Sequence, residues 1–217
     1  MRISLSTGHP AELVAPVGAR KGLVVIPDIM GLRPLFDDLV ERLASETGWA
    51  VCAPDLYVGQ TELDLEGRLA AAKDLDDRTV LGDAVAAADA CAVDQVGCIG
   101  FCMGGMYTLK AVATGRFHRV GAFYGMITVP EQWRGAGQGE PLDALAVGDA
   151  STAMAVIGTA DTYTPPEEVA RLQAAGVAVV SYRDAEHGFV HDPDRPAHRP
   201  DDAADAWSRV IDWLSSS

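Results

Sequence analysis

Gly100, Phe101, Cys102, Met103 and Gly104 place a cysteine midway between two glycines, directly after the apolar run Gln95–Phe101. Gly-x-Ser-x-Gly marks a strained strand-to-helix turn that lifts a nucleophile clear of its neighbours, and here sulfur takes the place of the hydroxyl. A cysteine at a helix start attacks as thiolate, because the oriented N–H groups there favour negative charge. The same turn aims the Met103 N–H at a developing oxyanion, and Ile29, in a loop after an early strand, is the expected second donor. Downstream come a candidate acid, Asp161 in Gly158–Pro165, and a candidate base, His187 in Asp184–Phe189. A buried carboxylate at Asp161 would fix the tautomer and orientation of His187. Each residue alone has a plainer reading, as a packing thiol, a turn aspartate or a surface-loop histidine. The chain order nucleophile, acid, base is what joins them.

Positioning such a set requires a scaffold with loops at one edge. Six apolar runs read as strands: 22–26, 49–53, 96–101, 120–124, 153–157 and 177–182. Continuous runs imply strands covered on both faces. Amphipathic stretches alternate with them at 34–46, 66–90, 104–114, 166–175 and 201–214, with Pro34 and Pro166 suited to first helical turns. The alternation predicts a mostly parallel sheet with helices on both sides. The glycine-rich stretch 125–150 reads as a long surface loop. Ligands of open α/β sheets bind beyond the carboxyl ends of the strands, which is where 27–31, 54–57, 102, 158–165 and 186–188 all fall.

The 217 residues read most simply as one domain, 1–217, without repeats or a linker. The net charge of −14 argues against nucleic acid, whose binding rests on Lys and Arg neutralising phosphates. No segment approaches the ~20 apolar residues that span a bilayer, and residues 1–22 lack a secretory pattern, so a soluble cytoplasmic protein is expected. The other thiols, Cys52, Cys91 and Cys98, read as buried small hydrophobes in a reducing compartment. His9 and His118 fall outside the expected site edge. His191, Asp192, Asp194 and His198 lie among prolines with no zinc-like spacing, so neither a metal nor a cofactor is expected. A nucleotide-binding reading needs G-x-G-x-x-G, which Gly97, Gly100, Gly104 and Gly105 do not form.

Taken together, the elbow 100–105, Ala53–Tyr57, Phe123–Gly125, Asp161 and Glu186–Phe189 resemble the dienelactone hydrolase family over nearly the whole chain. The resemblance implies a compact α/β-hydrolase fold without a separate lid domain. It implies Cys102, Asp161 and His187 as a triad working through a thioester on a small lactone or ester, most simply of the dienelactone type. It also implies a monomer or weak homo-oligomer with no membrane or nucleic-acid partner. In the family's best-known members a glutamate after the first buried strand holds and then deprotonates the thiol; the matching residue is Asp28, one methylene shorter. Two arginines there grip a substrate carboxylate. The matching places are near Arg68 and at His191, a poorer carboxylate partner than a guanidinium. Tyr124 joins them as a further substrate-side residue, and Arg33 and Arg195 are alternative cations. A non-catalytic relative binding a small ligand in the same cleft is the alternative reading.

Overall fold

The computed structural model describes residues 1–60 and 62–216. Eight strands form one sheet in the order β1-β2-β4-β3-β5-β6-β7-β8. These are β1 (Arg2–Ser4), β2 (Pro10–Val14), β3 (Lys21–Ile26), β4 (Ala50–Pro54), β5 (Gln95–Phe101), β6 (Val120–Phe123), β7 (Ala153–Gly158) and β8 (Ala178–Tyr182). All six apolar runs became strands, and they are the parallel ones, β3 to β8. The sequence reading missed β1 and β2, which join antiparallel at one edge. β1 is three residues of mostly exposed side chain, too short and too polar to show a pattern.

Helices cover both faces. A Cβ built on Gly97 would meet Leu214 at 2.8 Å, whereas one on Gly100 would meet Gly104 at 2.3 Å. Residues of opposite parity on a strand point to opposite faces, so α7 (Pro200–Ser215) and α4 (Met103–Ala111) sandwich β5. α1 (Pro34–Thr47) buries Phe36, Leu39, Val40 and Leu43, the spacing of one helical face, and ends on Gly48 with φ of 70°. It meets α7 through Arg42, 4.9 Å above the Trp207 ring.

The single helix expected over 66–90 is broken into α2 (Leu65–Ala71), a short 3-10 turn and α3 (Asp77–Ala90). Asp76 is the reason: in extended conformation, its side chain accepts the Arg78 N–H at 2.7 Å and starts a new helix. Residues 125–150 are less of a surface loop than expected. They contain a 3-10 turn at Glu131–Trp133 and α5 (Pro141–Val147), and they bury Met126, Ile127, Val129 and Trp133. The remaining helix, α6 (Pro166–Ala174), packs beside β8. No helix among the described residues is long and apolar enough to cross a membrane.

Candidate active site

Cys102 sits between β5 and α4 with φ of 56° and ψ of −118°, a backbone conformation that few side-chain-bearing residues adopt. It is held there from both sides. Its N–H donates to Phe123 O at 3.0 Å, and its carbonyl accepts the Met106 N–H at 3.0 Å. The flanking glycine is obligatory: a Cβ on Gly104 would lie 2.2 Å from the carbonyl oxygens of both Ile26 and Pro27. That close approach brings the loop after β3, with Ile29, against the elbow. Met103 opens α4, so its N–H has no carbonyl one turn back within the helix and is free for an incoming oxygen.

Asp161 and His187 come together from the loops after β7 and β8, 26 residues apart in sequence. Asp161 Oδ2 lies 2.8 Å from His187 Nδ1, while its Oδ1 accepts the Tyr163 N–H at 2.8 Å. An ionised carboxylate can only accept, so Nδ1 keeps its proton and Nε2 is the atom at which the ring takes up or gives up the second one. Nε2 is buried with no hydrogen bond of its own, and Cys102 is the group it faces closely enough to affect its titration. Burial alone would depress the imidazole, but the hydrogen bond to Asp161 and the interaction with Cys102 outweigh it and raise His187 to about 9. Tyr163 tilts over the same imidazole with ring centroids 4.8 Å apart.

Cys102 and His187 open onto a cavity of about 400 Å³. Its apolar wall is Ile29, Met30, Leu65, Leu69, Met126 and Trp133, and its charged groups are Asp28, Arg33, Asp192 and Arg195. Leu65 and Leu69 are among the few large apolar side chains left exposed, and both rim this cleft.

The remaining expected residues are placed differently from the sequence reading. Asp28 lines the cleft, yet its carboxylate is turned to Arg33 (2.6 and 2.9 Å), the Met30 N–H (2.9 Å) and His191 Nε2 (2.9 Å), and none of its bonds among the described residues reaches Cys102. Burial opposes its ionisation, but the bonds from His191 and Arg33 overcome this and hold it well below the ordinary carboxylate range. His191 and Tyr124, expected at the substrate, are sealed beneath the cleft by the rings around them. Arg68 is also withdrawn: its guanidinium stacks 4.8 Å above the Tyr57 ring, it bonds Leu63 O at 3.0 Å, and it borders a neighbouring cavity. The cations that do line the cleft are Arg33 and Arg195. No local spacing marks them; only the packing of 27–33 and 188–195 around the elbow brings them there. Cys52, Cys91 and Cys98 are buried, with burial pushing each thiol up, Cys91 to about 11 and Cys98 to about 12.

A mostly parallel sheet with a cysteine-bearing strand-to-helix elbow after a central strand and an acid–histidine pair after the last two has the arrangement of an α/β-hydrolase. The chain belongs to the dienelactone hydrolase family, whose sequence model matches residues 10–217. It is 31% identical over 94% of its length, and 88% of the relative's, to a Bradyrhizobium protein named "Probable 2-oxo-3-(5-oxofuran-2-ylidene)propanoate lactonase". Identity to the carboxymethylenebutenolidase of Rhodococcus opacus is 29%, covering 91% of this chain and 81% of that one. Among solved structures, "Putative Dienelactone Hydrolase from Klebsiella pneumoniae" superposes with a TM-score of 0.88 at 24% identity, covering 100% of this chain and 98% of the other. A hyperthermophilic esterase from Pyrobaculum calidifontis shares the fold at a TM-score of 0.59 and 18% identity, over 99% and 85% of the two chains. Family membership places the protein among hydrolases.

Proposed function

We propose that this protein opens a lactone or cleaves an activated carboxylic ester with Cys102 as nucleophile, His187 as proton carrier and Asp161 as its orienter. The observation that carries the reading is the meeting of a cysteine in a left-handed elbow with an Asp-fixed imidazole in one cleft. Cys102 sulfur bonds to the carbonyl carbon as thiolate, its proton held on His187 Nε2, since Asp28 is occupied elsewhere. The N–H groups of Met103 and Ile29 receive the oxyanion. When the C–O bond breaks, His187 returns the proton to the departing oxygen, leaving a thioester. Water, deprotonated by His187, then releases the acid and restores the thiol. A thiolate is itself easily expelled, so the chemistry suits enol lactones and aryl esters rather than amides. Where the substrate carries a carboxylate, Arg33 and Arg195 are the residues that would meet it.

The test follows loss of dienelactone absorbance, with an aryl ester alongside, using the wild type and Cys102→Ala. Turnover of either substrate that vanishes in Cys102→Ala is the expected result. Turnover that survives the substitution refutes the assignment, and absence of cysteine-dependent turnover of either leaves a ligand-binding relative as the better description.

A further inference from the structure

His191 follows His187 by four residues but has left the cleft. Its side chain is fully buried, stacked 4.6 Å from the Phe101 ring and 5.8 Å from Phe36. Nevertheless both ring nitrogens and the backbone N–H have partners outside its own loop. Nε2 lies 2.9 Å from Asp28 Oδ2, Nδ1 lies 2.5 Å from the Tyr124 hydroxyl, and the His191 backbone N–H donates to that same hydroxyl at 3.3 Å.

The proton positions follow from elimination. The ionised Asp28 carboxylate can only accept, so Nε2 must donate to it, and in a neutral ring Nδ1 is then an acceptor that takes the Tyr124 O–H. A neutral ring satisfies the whole set, whereas an imidazolium would put a second charge into an aromatic stack. Burial accordingly holds His191 below the ordinary histidine value, with Arg33 and Arg195 adding in that direction against the pull of Asp28.

We propose that His191 is a positioning residue, a buried strut in its neutral Nε2–H form that ties the loop carrying Ile29 to the loop carrying His187. The role rests on the reading of Cys102 and His187 as the reacting pair. Asp28 precedes the Ile29 N–H directly and also grips Arg33 in the cleft, so the strut fixes an oxyanion donor and a substrate-facing cation together. Tyr124, at φ of 39° next to the Phe123 carbonyl that holds Cys102, ties the same strut to the elbow. Misplacing a donor by about 1 Å costs about a hundredfold in rate.

Two measurements test it. In wild-type protein labelled with ¹⁵N-histidine, two-bond proton–nitrogen correlations read each tautomer, and the His191 signal is identified by its loss in His191→Gln. A ring protonated at Nε2 alone at pH 7 to 9 is expected; a signal that becomes an imidazolium in that range, or carries its proton on Nδ1, overturns the strut. For kinetics, His191→Phe keeps the ring stack without polar atoms, and His191→Gln offers one donor and one acceptor. With p-nitrophenyl acetate, kcat should fall about tenfold to a hundredfold in the phenylalanine variant with KM little changed, and glutamine should recover most of it. Iodoacetamide should still alkylate Cys102 in both, because the elbow keeps its bonds to Phe123 O and the Met106 N–H and His187 keeps Asp161, none of which involves the His191 side chain. Wild-type kcat in His191→Phe refutes the strut while leaving the triad standing, whereas a wild-type Cys102 inert to iodoacetamide refutes the triad itself.

Discussion

Replacing Asp161 by asparagine changes one atom at a fully buried side chain and sets a trap that the surrounding backbone enforces. The Tyr163 N–H points at Oδ1 from 2.8 Å, so the new amide must keep its oxygen there and turn its NH2 toward His187 Nδ1. Two donors cannot share that contact. The imidazole then moves its proton to Nε2, which no longer can accept one from Cys102. The electrostatic part of the loss is of the size of the shift at His187, which stands at about 9 against an ordinary 6.5 because the depressing effect of burial is outweighed by Asp161 and Cys102 together. At ~1.4 kcal/mol per pH unit the whole gap is about 3 kcal/mol; the Asp161 hydrogen bond is the largest favourable part of it, so its removal is expected to cost about one to two orders of magnitude in rate. The wrong tautomer adds to this, and a comparable asparagine in a serine triad costs about 10⁴. We therefore expect kcat/KM for an aryl ester to fall about 10²- to 10⁴-fold across pH 6–10, with slowed alkylation of Cys102 followed by mass spectrometry. Asp161→Ala, which leaves the imidazole free to choose its tautomer, should be less impaired than Asp161→Asn. Activity of Asp161→Asn within about threefold of wild type, or above that of Asp161→Ala, would refute the reasoning.

Gly104→Ala gains about 1 kcal/mol of helix propensity but drives a methyl to 2.2 Å from two carbonyl oxygens, so a net loss of about 3 kcal/mol is expected. Calorimetry should show a melting temperature lowered by about 6–12 °C. Asp28→Asn leaves Arg33 without its carboxylate and should cost about 3 kcal/mol at pH 7. Because the folded pKa of Asp28 lies below its ordinary 3.8, that stabilisation is complete above the ordinary value and drains away as pH falls through the folded one. Urea unfolding should therefore show a wide gap between variant and wild type at pH 7 that narrows below about pH 4. Lys110 is sealed, with its side chain 1% exposed and its ammonium 2.8 Å from Asp77. Asp77→Ala should lose about 3–5 kcal/mol by stranding that charge, and adding Lys110→Met to it should restore stability in denaturant titrations.

The meeting of Cys102, Asp161 and His187 at one sheet edge could be read from the sequence because the position of each is fixed locally. An elbow needs its glycines within two residues, and an acid or base at the carboxyl end of a parallel strand needs only the apolar run before it. The parallel strands announce themselves for the same reason, as unbroken runs buried on both faces. What escaped was the direction of long side chains across loops. Sequence position puts His191 beside His187 and gives it the substrate, but an imidazole flanked by Phe101 and Phe36 gains more from burial with two hydrogen bonds than from exposure to the cleft. Arg68, placed near the substrate by a loose match, instead finds Tyr57 and Leu63.

Arg33 and Arg195 reach the cleft through contacts made only after the sheet has closed. Arg33 is five residues from the Asp28 carboxylate that holds it, but Asp28 is in turn held by His191, 163 residues later in the chain. Position 28 therefore cannot be interpreted apart from position 191. A longer glutamate beside an arginine at 191 would have both the reach and the competing cation to exchange partners with a thiol. Aspartate is shorter, and the cation it meets, Arg33, together with His191 engages both of its oxygens and turns them away from the thiol. The two departures from the family pattern are thus one coupled change: together they turn a site that could release its carboxylate toward the thiol into one that holds it still. On the proposed mechanism, proton transfer from Cys102 is then left to His187.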